Sequence, residues 1–276
     1  MKLFGFDAFS PKEVATRVND FRVIKARLPL LTLWLLGMLA GAFIGLGSLN
    51  YTLVVSDATL GFAASRIAGG LCFSLGMLLV VVAGAELFTG NNLLAMAWAD
   101  GCISGSEVLR NWIVVCLANF VGAAGMAFIV YLSGHWKMND GAVGATYLKI
   151  AAAKAELPFW EAFFLGMLCN ILVCISVWMT YAGRSVVDKF IAIVLPISAF
   201  VAAGFEHSIA NMYFFPLALL LKWQGLELPP GGDAISIMGM LANLVPVISG
   251  NIFGGSALVA LVYWAIYLRE RSKTQM

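Results

Sequence analysis

Charge is scarce in this chain: Lys, Arg, Asp and Glu together make up 12% of 276 residues, against 61% hydrophobic. A soluble domain carries about twice that share of charge, so a soluble reading is excluded and the chain falls in the membrane class. Histidine is scarcer still, with only His135 and His207. His207 lies deep in an apolar run and His135 at the border of one, so they supply no paired axial ligands for a haem unless their sides coincide, and no cofactor is expected. The five cysteines (Cys72, Cys102, Cys116, Cys169 and Cys174) are odd in number and lack CxxC spacing. They read as small packing residues rather than as a disulfide or metal set. A net charge of +2 without a concentrated basic face gives no reason to expect nucleic acid as a partner. No short apolar run precedes the long one at Leu28, so no cleavable signal peptide is expected and the first span should be retained.

What is present is a series of long stretches free of Asp, Glu, Lys and Arg: 28–56, 67–98 (Glu86 excepted), 111–134, 162–183, 190–221 (Glu206 excepted) and 234–268. Each exceeds the ~20 residues needed to cross ~30 Å of hydrocarbon, which predicts six transmembrane helices in one domain over 28–268. Twelve Lys and Arg fall in the two terminal segments and the loops on their side, against five (Arg66, Lys137, Lys149, Lys154 and Lys222) on the other. Positive loops stay inside, so both termini are expected in the cytoplasm and the protein in the cell inner membrane. Residues 1–27 and 269–276 then flank the domain as a cytoplasmic amino-terminal helix and tail. Ser10-Pro11-Lys12-Glu13 has the form of a capped helix start, after which Val14, Val18 and Phe21 share a face. That helix is either an interfacial anchor on anionic membrane lipid or a lid over a pore.

Two segments read alike. Gly84-Ala85-Glu86-Leu87-Phe88-Thr89-Gly90-Asn91 and Gly204-Phe205-Glu206-His207-Ser208-Ile209-Ala210-Asn211 both carry Gly, Glu two on and Asn seven on. Gly37-Met38-Leu39 likewise matches Gly166-Met167-Leu168, and Asn119-Phe120-Val121-Gly122 matches Asn251-Ile252-Phe253-Gly254. The order is preserved and the offsets nearly agree, so the chain reads as two three-helix repeats. An odd number of spans inverts the second copy, and such proteins place their site where discontinuous helices meet. The second and fifth spans are expected to break at the Glu motifs, with half-helices starting near Asn91 and Asn211. Their inward-facing N–H groups would favour an anion.

Ionisable groups at this depth are costly, by roughly 3 kcal/mol for a carboxylate on insertion scales. Glu86 and Glu206 are therefore either proton carriers or acceptors for the bare N–H groups of the breaks. His207 is the sharpest candidate, because it can change charge beside a weak-acid anion. Thr89 and Ser208 either donate a hydroxyl to a permeating anion or cap the half-helix that follows. Asn170, at the repeat position of Gly41, can donate an uncharged N–H. Phe73, Met77, Leu87, Phe88, Val173 and Phe200 are apolar positions suited to constrictions that strip water from a solute. Lys154 is either an anion-attracting residue of an outer vestibule or a solvated loop lysine.

Gly204-Phe205-Glu206-His207-Ser208-Ile209-Ala210-Asn211-Met212 resembles the fifth-span signature of the formate/nitrite transporter family. Leu87-Phe88-Thr89-Gly90, Cys169-Asn170, Leu172-Val173-Cys174 and Gly250-Asn251 extend the resemblance across all six spans. It implies an aquaporin-like protomer in a homopentamer, one pore per subunit, passing formate and related small monovalent anions. It also implies that His207 is the central histidine, with Thr89 and Asn170 as polar partners. The apolar residues above would line slits, and Lys154 would stand in a vestibule. The amino-terminal helix would gate the pore and meet a formate-metabolising enzyme. Gly183-Arg184-Ser185 and Tyr263-Trp264 look closer to the formate branch, whereas Glu86 and Gly90 look more like the nitrite branch. Nitrite or hydrosulfide passage is the alternative. A neutral-solute channel of the aquaporin type would normally show Asn-Pro-Ala at both half-helix starts, and none occurs.

Overall fold

The computed structural model describes residues 8–269, all-helical with no strand among them. In chain order the helices are α1 (Pro11–Ala26), α2 (Leu30–Val55), α3 (Phe62–Leu78), α4 (Phe88–Asn91), α5 (Leu94–Ala99), α6 (Gly105–Leu132), α7 (Ala142–Ala155), α8 (Phe159–Thr180), α9 (Val186–Ala203), α10 (Ser208–Trp223), α11 (Ile237–Ile252) and α12 (Val262–Tyr267). A π-helical turn, Leu79–Gly84, extends α3, and a second, Phe253–Leu261, joins α11 to α12. Six stretches are long and apolar enough to cross a membrane: Leu30–Val55, Phe62–Gly84, Gly105–Leu132, Phe159–Thr180, Val186–Ala203 and Ile237–Tyr267. Their outward faces carry large apolar residues such as Leu31, Leu35, Leu117 and Leu195, each at least half exposed, as a lipid-facing surface requires.

Local chemistry sets the ends. Ser10 with Glu13, Ser104 with Glu107 and Ser185 with Asp188 form reciprocal capping boxes at the starts of α1, α6 and α9. The amino-terminal helix therefore starts where Ser10-Pro11 marks it. It also docks on the bundle. Val14, Ala15, Val18 and Arg22 are buried against the bundle, with α1 packed on α5, α6 and α12.

The two halves repeat with inversion. α2 packs on α3 and α6, and α8 packs in the same way on α9 and α11. The close approach rests on missing side chains: a Cβ on Gly122 would overlap the Met38 carbonyl, and one on Gly254 the Met167 carbonyl. The repeat is also one helix longer than three spans. Lys25 on α1 and Lys154 on α7 are 129 apart, the offset of Gly37 and Gly166. Asn111 Nδ2 donates to Lys25 O at 3.2 Å, and Asn243 Nδ2 donates to Lys154 O at 2.9 Å. So α1 and α7 are counterparts, and Lys154 sits on a helix instead of in a solvated loop.

Both expected breaks are present. The second span ends at Gly84 (φ 85°) and the fifth at Gly204 (φ 79°), left-handed positions that only glycine adopts readily. Extended residues follow, and the chain turns helical again at Phe88 and at Ser208. These starts are three residues earlier than Asn91 and Asn211, because the asparagines do not cap. They lie one turn in and reach back to the glutamates. Gly122→Ala and Gly254→Ala should each lower the melting temperature of the purified protein, since overpacking such a contact costs about 1–3 kcal/mol. Unchanged melting in both would contradict the close packing of α2 on α6 and of α8 on the π-helical segment that follows α11.

Candidate functional site

The breaks bring Thr89 and His207 together at the centre of the molecule. Thr89 Oγ1 lies 2.9 Å from His207 Nε2, and both residues are buried. His207 is the N-cap of α10, and its Nδ1 accepts the Ala210 N–H at 3.2 Å. An accepting Nδ1 carries no proton, so the ring hydrogen is on Nε2 and is donated to the Thr89 hydroxyl oxygen. The histidine is thereby held as a neutral donor, with its tautomer fixed by the backbone.

The first backbone N–H of each half-helix is answered by an asparagine of the last span of its own repeat. Phe88 N donates to Asn119 Oδ1 at 2.9 Å, and Ser208 N donates to Asn251 Oδ1 at 3.1 Å. Asn119 Nδ2 in turn donates to the carbonyls of Gly37 (2.7 Å) and Glu86 (2.9 Å), and Asn251 Nδ2 to those of Gly166 (2.7 Å) and Glu206 (3.0 Å). Non-helical backbone at membrane depth is tolerated only when protein groups satisfy it, and these two side chains do much of that. The expectation that the glutamates accept the bare N–H groups is thereby corrected.

Glu86 and Glu206 have other partners. Lys25 Nζ lies 2.6 Å from Glu86 Oε1, and Asn91 Nδ2 donates to Oε2 at 2.8 Å. Lys154 Nζ lies 2.6 Å from Glu206 Oε1, and Asn211 Nδ2 donates to Oε2 at 2.6 Å. Asn91 and Asn211 also donate to Asn111 and Asn243. Each carboxylate is thus paired and hydrogen-bonded, the arrangement that makes a buried charge tolerable.

Two further expectations are corrected. Asn170 does not reach His207 or offer a free N–H: its amide nitrogen has the Thr89 carbonyl (3.2 Å), Asn92 Oδ1 (2.7 Å) and the Asn251 carbonyl (2.6 Å) as acceptors. It clamps the break that carries Thr89. Neither Thr89 nor Ser208 caps a half-helix. His207 caps α10 itself, α4 has no side-chain cap, and the buried Ser208 Oγ has no partner among the described residues.

A cavity opens on each side of this centre. The α7-side cavity, about 310 Å³, is walled by Lys154, Glu206, Phe73, Phe200 and His207. The rings of Phe73 and Phe200 stand 6.5 and 5.8 Å from the imidazole and 5.8 Å from each other, closing its inner end. The α1-side cavity, about 820 Å³, includes Lys25, Glu86, Met77, Val80 and Leu87 in its wall. The two cavities have no wall residue in common among those described, and Thr89, Phe88, Val173 and Asn170 belong to neither wall. Phe73 and Phe200 therefore stand beside His207 on the α7 side, Met77 and Leu87 edge the other cavity, and Phe88 and Val173 are buried and line neither.

A family model for formate/nitrite transporters matches residues 12–265. The chain belongs to the formate/nitrite transporter family. It is 39% identical to the formate channel FocA of Escherichia coli K12, over 96% of each chain. It superposes on the structure of a pentameric formate channel with formate bound at 38% identity and TM-score 0.79, covering 87% of this chain and 98% of that one. The aquaglyceroporin of Plasmodium falciparum shares the fold alone, at 13% identity and TM-score 0.54, covering 89% of this chain and all of that one. These family members are transport proteins and not enzymes.

Lys25, Asn111, Asn119, Asn243 and Asn251 carry the site without having been singled out for it. The repeat offsets were the available signal: 129 relates Lys25 to Lys154, and 132 relates Asn111 to Asn243 as it does Asn119 to Asn251. Asn251→Leu should lower the melting temperature much more than Ser208→Ala. The first strips partners from buried backbone groups at about 1–3 kcal/mol each, and the second removes a hydroxyl with no partner. Equal effects would contradict the role given to Asn251.

Proposed function

We propose that this protein passes formate, and related small monovalent weak-acid anions, across the cell inner membrane through one pore in each protomer of a homopentamer. The Thr89–His207 hydrogen bond, buried where the two broken spans meet between two vestibules, carries the reading. Membership of a family with named formate channels and the pentameric relative support the substrate and the assembly. The Lys and Arg count supports a cytoplasmic location for both termini, and so for α1 and its vestibule. A formate-metabolising enzyme on that side is the partner such a surface would meet, and lipid surrounds the apolar exterior.

The chemistry follows from the cost of charge. A carboxylate stripped of water between Phe73 and Phe200 loses several kcal/mol of hydration. Protonating it at pH 7 against a pKa of about 4 costs only ~4 kcal/mol. Lys154 and Arg66 draw the anion into the vestibule, and the imidazole Nε2 side presents a donor at the slit. A proton arriving at His207 is taken on Nδ1 as the Ala210 N–H lets go. One then leaves Nε2 by way of the Thr89 hydroxyl to the carboxylate oxygen. The imidazole is neutral again, and the permeant crosses as the neutral acid. That leaves the histidine as its Nδ1–H tautomer, and the resting form returns when Nε2 takes up a proton and Nδ1 releases one, so that Nδ1 again accepts the Ala210 N–H.

Formate flux into proteoliposomes tests the reading. His207→Ala and Thr89→Val should each change the flux at neutral pH about ten-fold or more and flatten its pH dependence, the scale of a general acid–base contribution. Native flux and native pH response in both variants would overturn the mechanism. A second reading, nitrite passage, rests on Glu86 and Gly90 in the second-span break, and competition between formate and nitrite separates the two.

A further inference from the structure

Arg22 is a buried charge with no carboxylate partner among the described residues. It is 1% exposed, its Nη1 donates to the neutral Asn91 Oδ1 at 3.2 Å, and its Nε has no partner among the described residues. The only ion pairs among those residues join Lys25 to Glu86, Arg27 to Glu107 and Lys154 to Glu206. An unpaired charge out of water costs several kcal/mol unless something compensates it. The repeat architecture does not call for it either, since the position 129 residues on is Ala151.

Arg22 is in the wall of the α1-side cavity, and it has company there. Arg17, Lys25, Arg184 and Lys189 share that wall, where Lys25 is paired with Glu86, the one carboxylate among the described wall residues, and Arg184 has a partner of its own. Arg17 and Arg184 lie 3.9 and 4.2 Å from the centre of the Phe9 ring, and the Arg17 Nε is buried without a partner among the described residues. The opposite vestibule differs. There Arg66 donates to the carbonyls of Ala202 (2.8 Å) and Val201 (3.1 Å) and to Tyr51 Oη (3.4 Å), while Lys154 is held by Glu206. On the α7 side the cations also hold the fold together, through those carbonyls and Glu206; on the α1 side Arg17 and Arg22 each keep an Nε without a partner among the described residues. Arg22, Arg17 and Lys189 have no carboxylate partner among the described residues, and a single monovalent permeant would offset one of those three charges in a space of about 820 Å³. Guanidinium donors in a fork match the oxygens of a phosphate group, and several cations around one cavity match more than one negative charge.

We propose that the α1-side vestibule is a binding site for a small multivalent oxyanion of the phosphate class, centred on the Arg22 guanidinium and completed by Arg17 and Lys189. The apolar floor of Met77, Val80 and Leu87 keeps such an ion from going further.

Calorimetric titration of the full-length purified protein with inorganic pyrophosphate tests this by binding alone, so its failure would be distinct from a failure of the transport reading. Pyrophosphate should bind the native protein, and Arg22→Gln should weaken it about ten-fold or more, the effect of losing a charged hydrogen-bond donor. Lys189→Gln, at the half-buried rim, should weaken it in the same direction and keeps the test open if Arg22→Gln does not fold. Formate titrated instead should bind far more weakly at this site. No uptake of pyrophosphate by the native protein at millimolar concentration, or native affinity in both variants, would overturn the proposal. Arg22-dependent binding of formate as tight as that of pyrophosphate would also overturn it, making the vestibule a loading station for the permeant.

Discussion

Backbone that leaves the helix at bilayer depth must find its hydrogen-bond partners inside the protein, and most of this structure follows from how it does so. Asn119 and Asn251 each hold an N–H of a half-helix start and the carbonyl of the glutamate before it. The same demand reaches the imidazole. Because the Ala210 N–H is satisfied by His207 Nδ1, the hydrogen of Nε2 is left for Thr89, and the donor between the two cavities is set by a helix cap.

The repeat supplies the scaffold, and function enters where its copies differ. Leu87 and His207 occupy equivalent positions, 120 apart, each directly before its half-helix. The leucine offers no cap and presents an apolar edge to the α1-side cavity, whereas the histidine caps its helix and faces the other. One barrier is thereby greasy on one side and hydrogen-bonding on the other. Arg22 opposite Ala151 is a second such difference, this time in a vestibule.

Much of this was legible in the residues. Long charge-free runs give the six spans, and glycines at 84 and 204 mark the breaks, because covalent geometry and hydrophobic length act locally. His207, Phe73 and Phe200 meet as the motifs suggest. What sequence reading missed are partners distant along the chain. Asn170 has the chemistry of a ligand donor, yet its amide hydrogens are taken up by Thr89, Asn92 and Asn251, contacts about 80 residues away in sequence. The glutamates looked suited to bare N–H groups, but inversion brings Lys25 and Lys154 to them first. The helix carrying Lys154 leaves no long charge-free run, because its 14 residues are too few to cross the membrane.

The tautomer of His207 is the most direct point of attack. Nitrogen NMR of histidine-labelled protein, with His135 replaced to leave one signal, reads the protonation of each ring nitrogen. At neutral pH the account predicts a hydrogen on Nε2 and a bare, accepting Nδ1. A resting imidazole protonated on Nδ1, alone or with Nε2, would contradict it, because the Ala210 N–H would then have lost its acceptor.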